Sequence, residues 1–197
     1  MLLYNSAVSG NCYKVRLICA QLGFGLELRE LDVVDRSNRP EVIGELNPAL
    51  RVPVLVLDDG RPLAESNAII DYLAEGTQYL PSDRYERARA LGWQFFEQYE
   101  IEPNLAVARF WTLFGIDVSE EQWAFKRAGG VKALAALERG LAGRDWLAGD
   151  GYSVADISLY AYTHVAAEGG FDLQPYPAIR AWIDRVASQR GHITIDA

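Results

Sequence analysis

In SGNCYKVRL, residues 9–17, a hydroxyl and a thiol stand three positions apart. Ser9-x-x-Cys12 is a Cys-x-x-Cys redox pair with its first sulfur exchanged for oxygen. Two chemistries follow. Either Cys12 is itself the nucleophile, or Ser9 handles a thiol that arrives from outside.

A second stretch, RVPVLVL at 51–57, carries Pro53 inside a strand-like run. Proline cannot donate to a sheet ladder, so the strand is an edge at that point or begins there. Val52 then offers its backbone N–H and C=O to an extended peptide, unless Pro53 simply marks a structural edge. In a third stretch, AESNAII, Glu65 and Ser66 stand where a hairpin ends and a helix starts. A helix N-terminus has unpaired N–H groups that suit a carboxylate. Ser66 adds a hydroxyl donor and Glu65 suits an ammonium, so the pair matches an amino-acid headgroup; helix capping alone is the bland alternative.

Other chemistry-bearing types lead nowhere. Ser153, Asp156 and His164 have a triad's residue types, but Ser153 and Asp156 stand at capping-box spacing and no strand precedes them. His164 and His192 are too far apart in sequence to suggest a metal pair, and no Cys or carboxylate cluster joins them. The aromatic run Trp93–Tyr99, with Phe110, Trp111 and Phe114, reads as helix core.

These residues need elements to position them. Leu2–Tyr4 reads as a buried strand. From Cys12, the apolar positions Val15, Ile18, Cys19 and Leu22 repeat at helical spacing until Gly23. A strand pattern runs from Leu26 through Val33, and a short helix is expected between Pro40 and Leu46. Val52–Leu57 and Arg61–Ala64 form a hairpin around Asp58-Asp-Gly60, and Glu65–Glu75 forms a helix. Beyond Tyr79 only helical periodicity remains. Ser82 or Asp83 caps the next helix, which Pro103 is expected to kink or break, since a helix-interior proline costs about 3 kcal/mol. Ser119-Glu-Glu-Gln122 and Ser153-Val-Ala-Asp156 open two more helices, and Pro177 suits the first turn of the last. The expected division is an α/β domain at 1–78, a linker at 79–84 and an all-α domain at 85–197.

Composition limits the partners. The 197 residues carry 19 Lys+Arg against 27 Asp+Glu, a formal net charge of −8 that opposes long contact with nucleic acid. No apolar run reaches the roughly 18 residues of a membrane span, and the N-terminus lacks signal-peptide features; a cytoplasmic protein is expected. Cys12 and Cys19, seven residues apart on one helix, would be separated by about 10 Å. A disulfide needs Cα atoms within roughly 7 Å, so reduced thiols are expected.

Taken together, SGNCYKVRL, NPALRVPVL and LAESNAIIDYLAE, in this order and spacing, resemble the thioredoxin-like domain of cytosolic glutathione transferases. GYSVADISL resembles the start of a helix in that family's all-α domain. The resemblance is to bacterial, serine-type, theta- or nu-like members, and it spans nearly the whole chain. It implies a βαβαββα thioredoxin-like domain followed by a helical one, a cis peptide before Pro53, an acceptor pocket between domains, and a homodimer. It also implies glutathione as co-substrate with no bound cofactor or metal, an electrophilic small molecule as second substrate, and a role in detoxification. By resemblance Ser9 and Asn11 meet the glutathione sulfur, and Val52 beside Pro53 pairs with the cysteinyl unit. Glu65 and Ser66 bind the γ-glutamyl end, Asn38 the glycyl carboxylate, and Arg109 and Phe110 line the acceptor pocket. Leu50 and Arg51 depart from the family, which commonly has glycine and lysine there. Two alternatives are a glutathione-dependent disulfide reductase or peroxidase on the same fold, and a non-catalytic binding module.

The implied chemistry closes energetically. A free thiol has a pKa near ~8.5, and lowering it by two units takes about 2.7 kcal/mol. A hydrogen bond from Ser9 to the anion supplies roughly 1.5–3 kcal/mol. The helix N-terminus adds about 0.3–1 kcal/mol. Ser9 is therefore assigned to an incoming thiolate.

Overall fold

Leu2–Asn5 forms β1, an inner strand of a four-stranded sheet. The computed structural model describes residues 1–197. After β1 come α1 (Gly10–Leu22), β2 (Glu27–Glu30), α2 (Arg39–Ile43), β3 (Val54–Val56), β4 (Pro62–Ala64) and α3 (Ser66–Ala74). β1 pairs parallel with β2 and antiparallel with β3, and β3 pairs antiparallel with β4. This is the expected βαβαββα order.

Strand alternation divides the sheet residues between two faces. Tyr4 and Val54 pack with Leu31 and with Ile43 of α2. Leu3 and Leu55, opposite each other in the register, point the other way and are fully buried. Each such leucine contributes about 1.5–3 kcal/mol. α1 and α3 pack against one another. Pro53, joined to Val52 by a cis peptide bond, precedes the first residue of β3, so a central strand begins there and Val52 stands outside its ladder.

Two expectations for this region change. The strand expected through Val33 ends at Glu30, and all four of its residues are exposed. β2 is an edge strand with β1 as its one neighbour, so alternation along it does not translate into a buried face. α1 is buried on nearly every side rather than on one stripe, including Lys14 and Arg16.

Residues Met1–Thr77 and Arg190–Ala197 form one compact unit, and Gln78–Gln189 form a second. In the first, the last eight residues lie along α1. The Tyr13 hydroxyl donates to the Ile193 carbonyl at 2.7 Å, and the Arg16 guanidinium donates to the carbonyls of Ile195 at 2.7 Å and Ala197 at 2.8 Å.

The second unit is helical: α4 (Arg84–Phe96), a π-helical segment (Glu97–Ala106), α5 (Val107–Phe114), α6 (Glu120–Leu141), α7 (Val154–Thr163), a short 3-10 turn (Ala166–Gly169) and α8 (Pro177–Ala187). Asp83 caps α4 by accepting from the Tyr85 and Glu86 amides. Both expected capping boxes are formed, by Ser119 with Gln122 and by Ser153 with Asp156. Pro103 neither breaks nor ends its helix. The chain widens into π-helical turns around it, and side chains take up backbone groups there: Asn104 Nδ2 donates to the Glu100 carbonyl at 2.7 Å and Lys126 Nζ to that of Pro103 at 2.7 Å. The aromatic run does not all enter the core, since Phe95 and Tyr99 are exposed.

Candidate functional site

Ser9 is the N-cap of α1. Its extended backbone turns the chain into the helix, and its Oγ accepts from the Cys12 amide at 3.3 Å. The loop leading to it is pinned on three sides. Cys12 Sγ accepts from the Ser6 amide at 3.3 Å, Glu30 accepts from the Ala7 amide at 3.1 Å, and Arg16 donates to the Ala7 carbonyl at 2.9 Å. Glu30 also accepts from the Asn5 side chain. The half-buried Ser9 hydroxyl is thus held at a defined point on a helix N-terminus.

Cys12 is a different case. It is fully buried, and burial pushes its thiol up to about 11, against the smaller opposing pull of Ser9, the Ser6 amide and Arg16. Burial also pushes Cys19 up to about 12. Both are free thiols. A buried, protonated thiol is a poor nucleophile, which weighs against Cys12 as the reacting group.

Asn11, one position before Cys12, meets residues from elsewhere in the chain. Its Oδ1 accepts from Lys14 Nζ at 2.9 Å and from Ser66 Oγ at 3.1 Å, and Lys14 Nζ also reaches Ser66 Oγ at 3.3 Å. Ser66 is the buried first residue of α3. So the residue expected at the sulfur and one expected at the headgroup share a single hydrogen-bond triangle. Its third member, Lys14, was missed from sequence. The available signal was a lysine four residues before Ile18, in line with the apolar face.

Glu65, just before α3, is exposed and has φ 67°, a left-handed conformation that costs an ordinary residue roughly 1–3 kcal/mol. Leu50 has φ 55°, a conformation to which glycine is best suited. Two side chains hold that loop. The Arg39 guanidinium donates to the carbonyls of Leu50 at 2.9 Å and Asp32 at 2.8 Å, while Asn47 accepts from the Ala49 amide and donates to the Arg51 carbonyl. Val52 is half-buried at the loop's end. Asn38 is exposed at the start of α2 and makes no side-chain cap bond.

In the second unit, Arg109 is buried and pairs with Glu168 at 2.6 Å, and the Phe110 ring lies 4.9 Å from that of Phe114. Ser153, Asp156 and His164 form no triad. Asp156 is occupied by Ser153, Leu147 and Trp182, and His164 stacks on Tyr160 with centroids 4.3 Å apart. No group of three His, Cys, Asp or Glu side chains is placed to hold a metal ion. No helix is long and apolar enough to cross a membrane.

Comparisons with known proteins match this arrangement. The family model described as glutathione S-transferase, N-terminal domain, matches residues 3–78, and that described as glutathione S-transferase, C-terminal domain, matches residues 105–190. A maleylacetoacetate isomerase of Pseudomonas aeruginosa is 31% identical, covering 95% of this chain and 92% of its own. The disulfide-bond oxidoreductase YfcG of Escherichia coli is 28% identical, covering 93% of this chain and 88% of its own. A solved structure of a glutathione S-transferase from Pseudomonas fluorescens is 45% identical with a TM-score of 0.95, covering 98% of each chain.

Proposed function

The chain belongs to the glutathione S-transferase family, with a thioredoxin-like first domain and a helical second one, and from that premise we propose that it activates the glutathione thiolate for attack on an electrophilic small molecule. Ser9 donates its hydroxyl hydrogen to the sulfur, and Asn11 adds a second donor. Val52, beside cis-Pro53, pairs with the cysteinyl backbone. Glu65 takes the γ-glutamyl ammonium, Ser66 its carboxylate, and Asn38 the glycyl carboxylate. Sulfur then forms a bond to the electrophilic carbon, and the leaving group departs with the electron pair. Residues 1–78 hold glutathione and need no bound cofactor; beyond a linker at 79–84, the helical residues contribute Arg109 and Phe110 to the acceptor side.

The observations that carry this reading are the capped helix N-terminus at Ser9 and the Asn11–Lys14–Ser66 triangle, which joins the residue proposed for the sulfur to one proposed for the headgroup. A cytoplasmic homodimer completes the proposal. Exposed Leu91, Phe95 and Tyr99, four residues apart along α4 and its continuation, support an apolar contact surface.

A second reading has one specific support: the relative named a disulfide-bond oxidoreductase. Glutathione sulfur would then attack a disulfide or peroxide in place of carbon. The relative named an isomerase adds a third reaction type to test. Turnover of an aryl halide, a disulfide and a peroxide, each with glutathione, separates these. We expect conjugation in the wild type, retained within about twofold by Cys12→Ser because the protonated thiol takes no part. Disulfide turnover alone, lost in Cys12→Ser, would replace the proposal with a direct cysteine mechanism.

A further inference from the structure

Lysines are almost never fully buried unless paired, yet Lys14 has no exposed surface and ends between two residues assigned to the ligand. Resting on the glutathione reading above, we propose that Lys14 is the positioning residue of this site: its ammonium fixes which ends of Asn11 and Ser66 face the anionic ligand.

Donor and acceptor accounting carries the argument. An ammonium has three donors and no acceptor. Whatever it touches at hydrogen-bond distance must present an oxygen. Asn11 therefore turns Oδ1 towards Lys14, at 2.9 Å, and its NH2 forms the other branch of the amide. Ser66 Oγ accepts from Lys14 at 3.3 Å, which leaves its single hydrogen to be donated; in this structure it goes to Asn11 Oδ1 at 3.1 Å. A carboxylate arriving at the start of α3 can take that hydrogen while Ser66 still accepts from Lys14. Both ligand-contacting groups are thus set as donors before the ligand arrives. A neutral residue in place of Lys14 would let the amide flip, and Ser66 Oγ could then accept from the Asn11 NH2 instead of donating.

Charge adds to orientation. Water screens a buried charge much less than an exposed one, so the ammonium acts on anions beyond its own contact distance. The same cation stands behind the sulfur-side residue Asn11 and the headgroup-side residue Ser66. It therefore favours both anionic groups of the ligand, the thiolate and the γ-glutamyl carboxylate.

The test compares wild type with Lys14→Met and Lys14→Gln, by calorimetry, using glutathione and an analogue lacking the γ-glutamyl α-carboxylate, with the bound thiol titrated in parallel. Losing donors set for a charged group should weaken glutathione by about tenfold or more, weaken the analogue, which keeps the sulfur contact, by a smaller factor, and raise the bound thiol's pKa. Equal losses for both ligands, or wild-type affinity in a variant that has lost the charge, would overturn the inference. Where the methionine variant does not fold by circular dichroism, the glutamine variant, which keeps a donor but not the charge, makes the comparison. If neither folds, Lys14 is structural and the positioning role is overturned. Failure of the wild type to bind glutathione at millimolar concentration is a separate outcome: it removes the reading beneath the inference, and the inference with it.

Discussion

Replacing Asp156 with alanine lowers the stability of the helical unit by roughly 3–5 kcal/mol, read as a shift in a denaturant unfolding curve. The carboxylate is fully buried and accepts four hydrogen bonds. Oδ1 takes the Leu147 amide at 3.1 Å and the Trp182 indole N–H at 2.9 Å, and Oδ2 takes the Ser153 amide at 3.0 Å and its hydroxyl at 3.1 Å. Burial raises its pKa to about 6 against the downward pull of these donors, so it is ionised at neutral pH. Alanine leaves three N–H donors stranded in the interior, and each unsatisfied donor costs about 1–3 kcal/mol. Asp156 also closes the capping box of α7 and ties that helix to α8 through Trp182, the largest fully buried side chain. Asp156→Asn keeps one acceptor and should lose less. A loss below about 1 kcal/mol in the alanine variant would mean that the interior relaxes to satisfy those donors elsewhere.

Glu65→Ala and Ser66→Ala each weaken glutathione binding by about 1.5–3 kcal/mol, the contribution of a hydrogen bond to a charged group. Ser66 is buried at the first turn of α3, so its hydroxyl is positioned before any ligand binds. Glu65 is held at φ 67° by the turn from β4 into α3. Strain of that kind clusters at functional sites, and alanine keeps the strained backbone while removing the carboxylate. The fold is therefore expected to stay near wild-type stability for Glu65→Ala while affinity falls. Near-normal affinity in both variants, measured by calorimetry, would put the headgroup elsewhere.

How legible this was depends on how far each contact reaches along the chain. Local devices could be read directly. Gly23 ends α1 with φ 73°, Asp83 starts α4, and both Ser-x-x-Gln/Asp boxes are formed, because each acts within a few residues. The alternating β and α pattern gave the order of the first seven elements for the same reason. The place of Lys14 on the buried face had a local signal, but its bond to Ser66, 52 residues away, had none, and neither did that of Arg16 to the Ala197 carbonyl, 181 away. The exposed β2 was missed because alternation reports a strand but not its place in the sheet order. Pro103 was expected to kink or break its helix; the break does not occur, because the chain takes wider π turns there and Asn104 and Lys126 cap the nearby carbonyls. The roles proposed for Ser9, Asn11 and Ser66 come from resemblance, while the hydrogen-bond triangle joining two of them needed the fold.

The most direct test is a thiolate absorbance titration of glutathione bound to the wild-type chain and to Ser9→Ala. Ser9 Oγ already accepts from the Cys12 amide, so alanine also removes a helix cap, worth about 1 kcal/mol of stability; that loss leaves the sulfur's ionisation untouched. Bound glutathione in the wild type should titrate at least about one unit below the free value near ~8.5, and the alanine variant should raise it by about one unit or more with little change in affinity. An identical titration in the two proteins would contradict the account, because the serine would then contribute nothing to holding the sulfur as an anion.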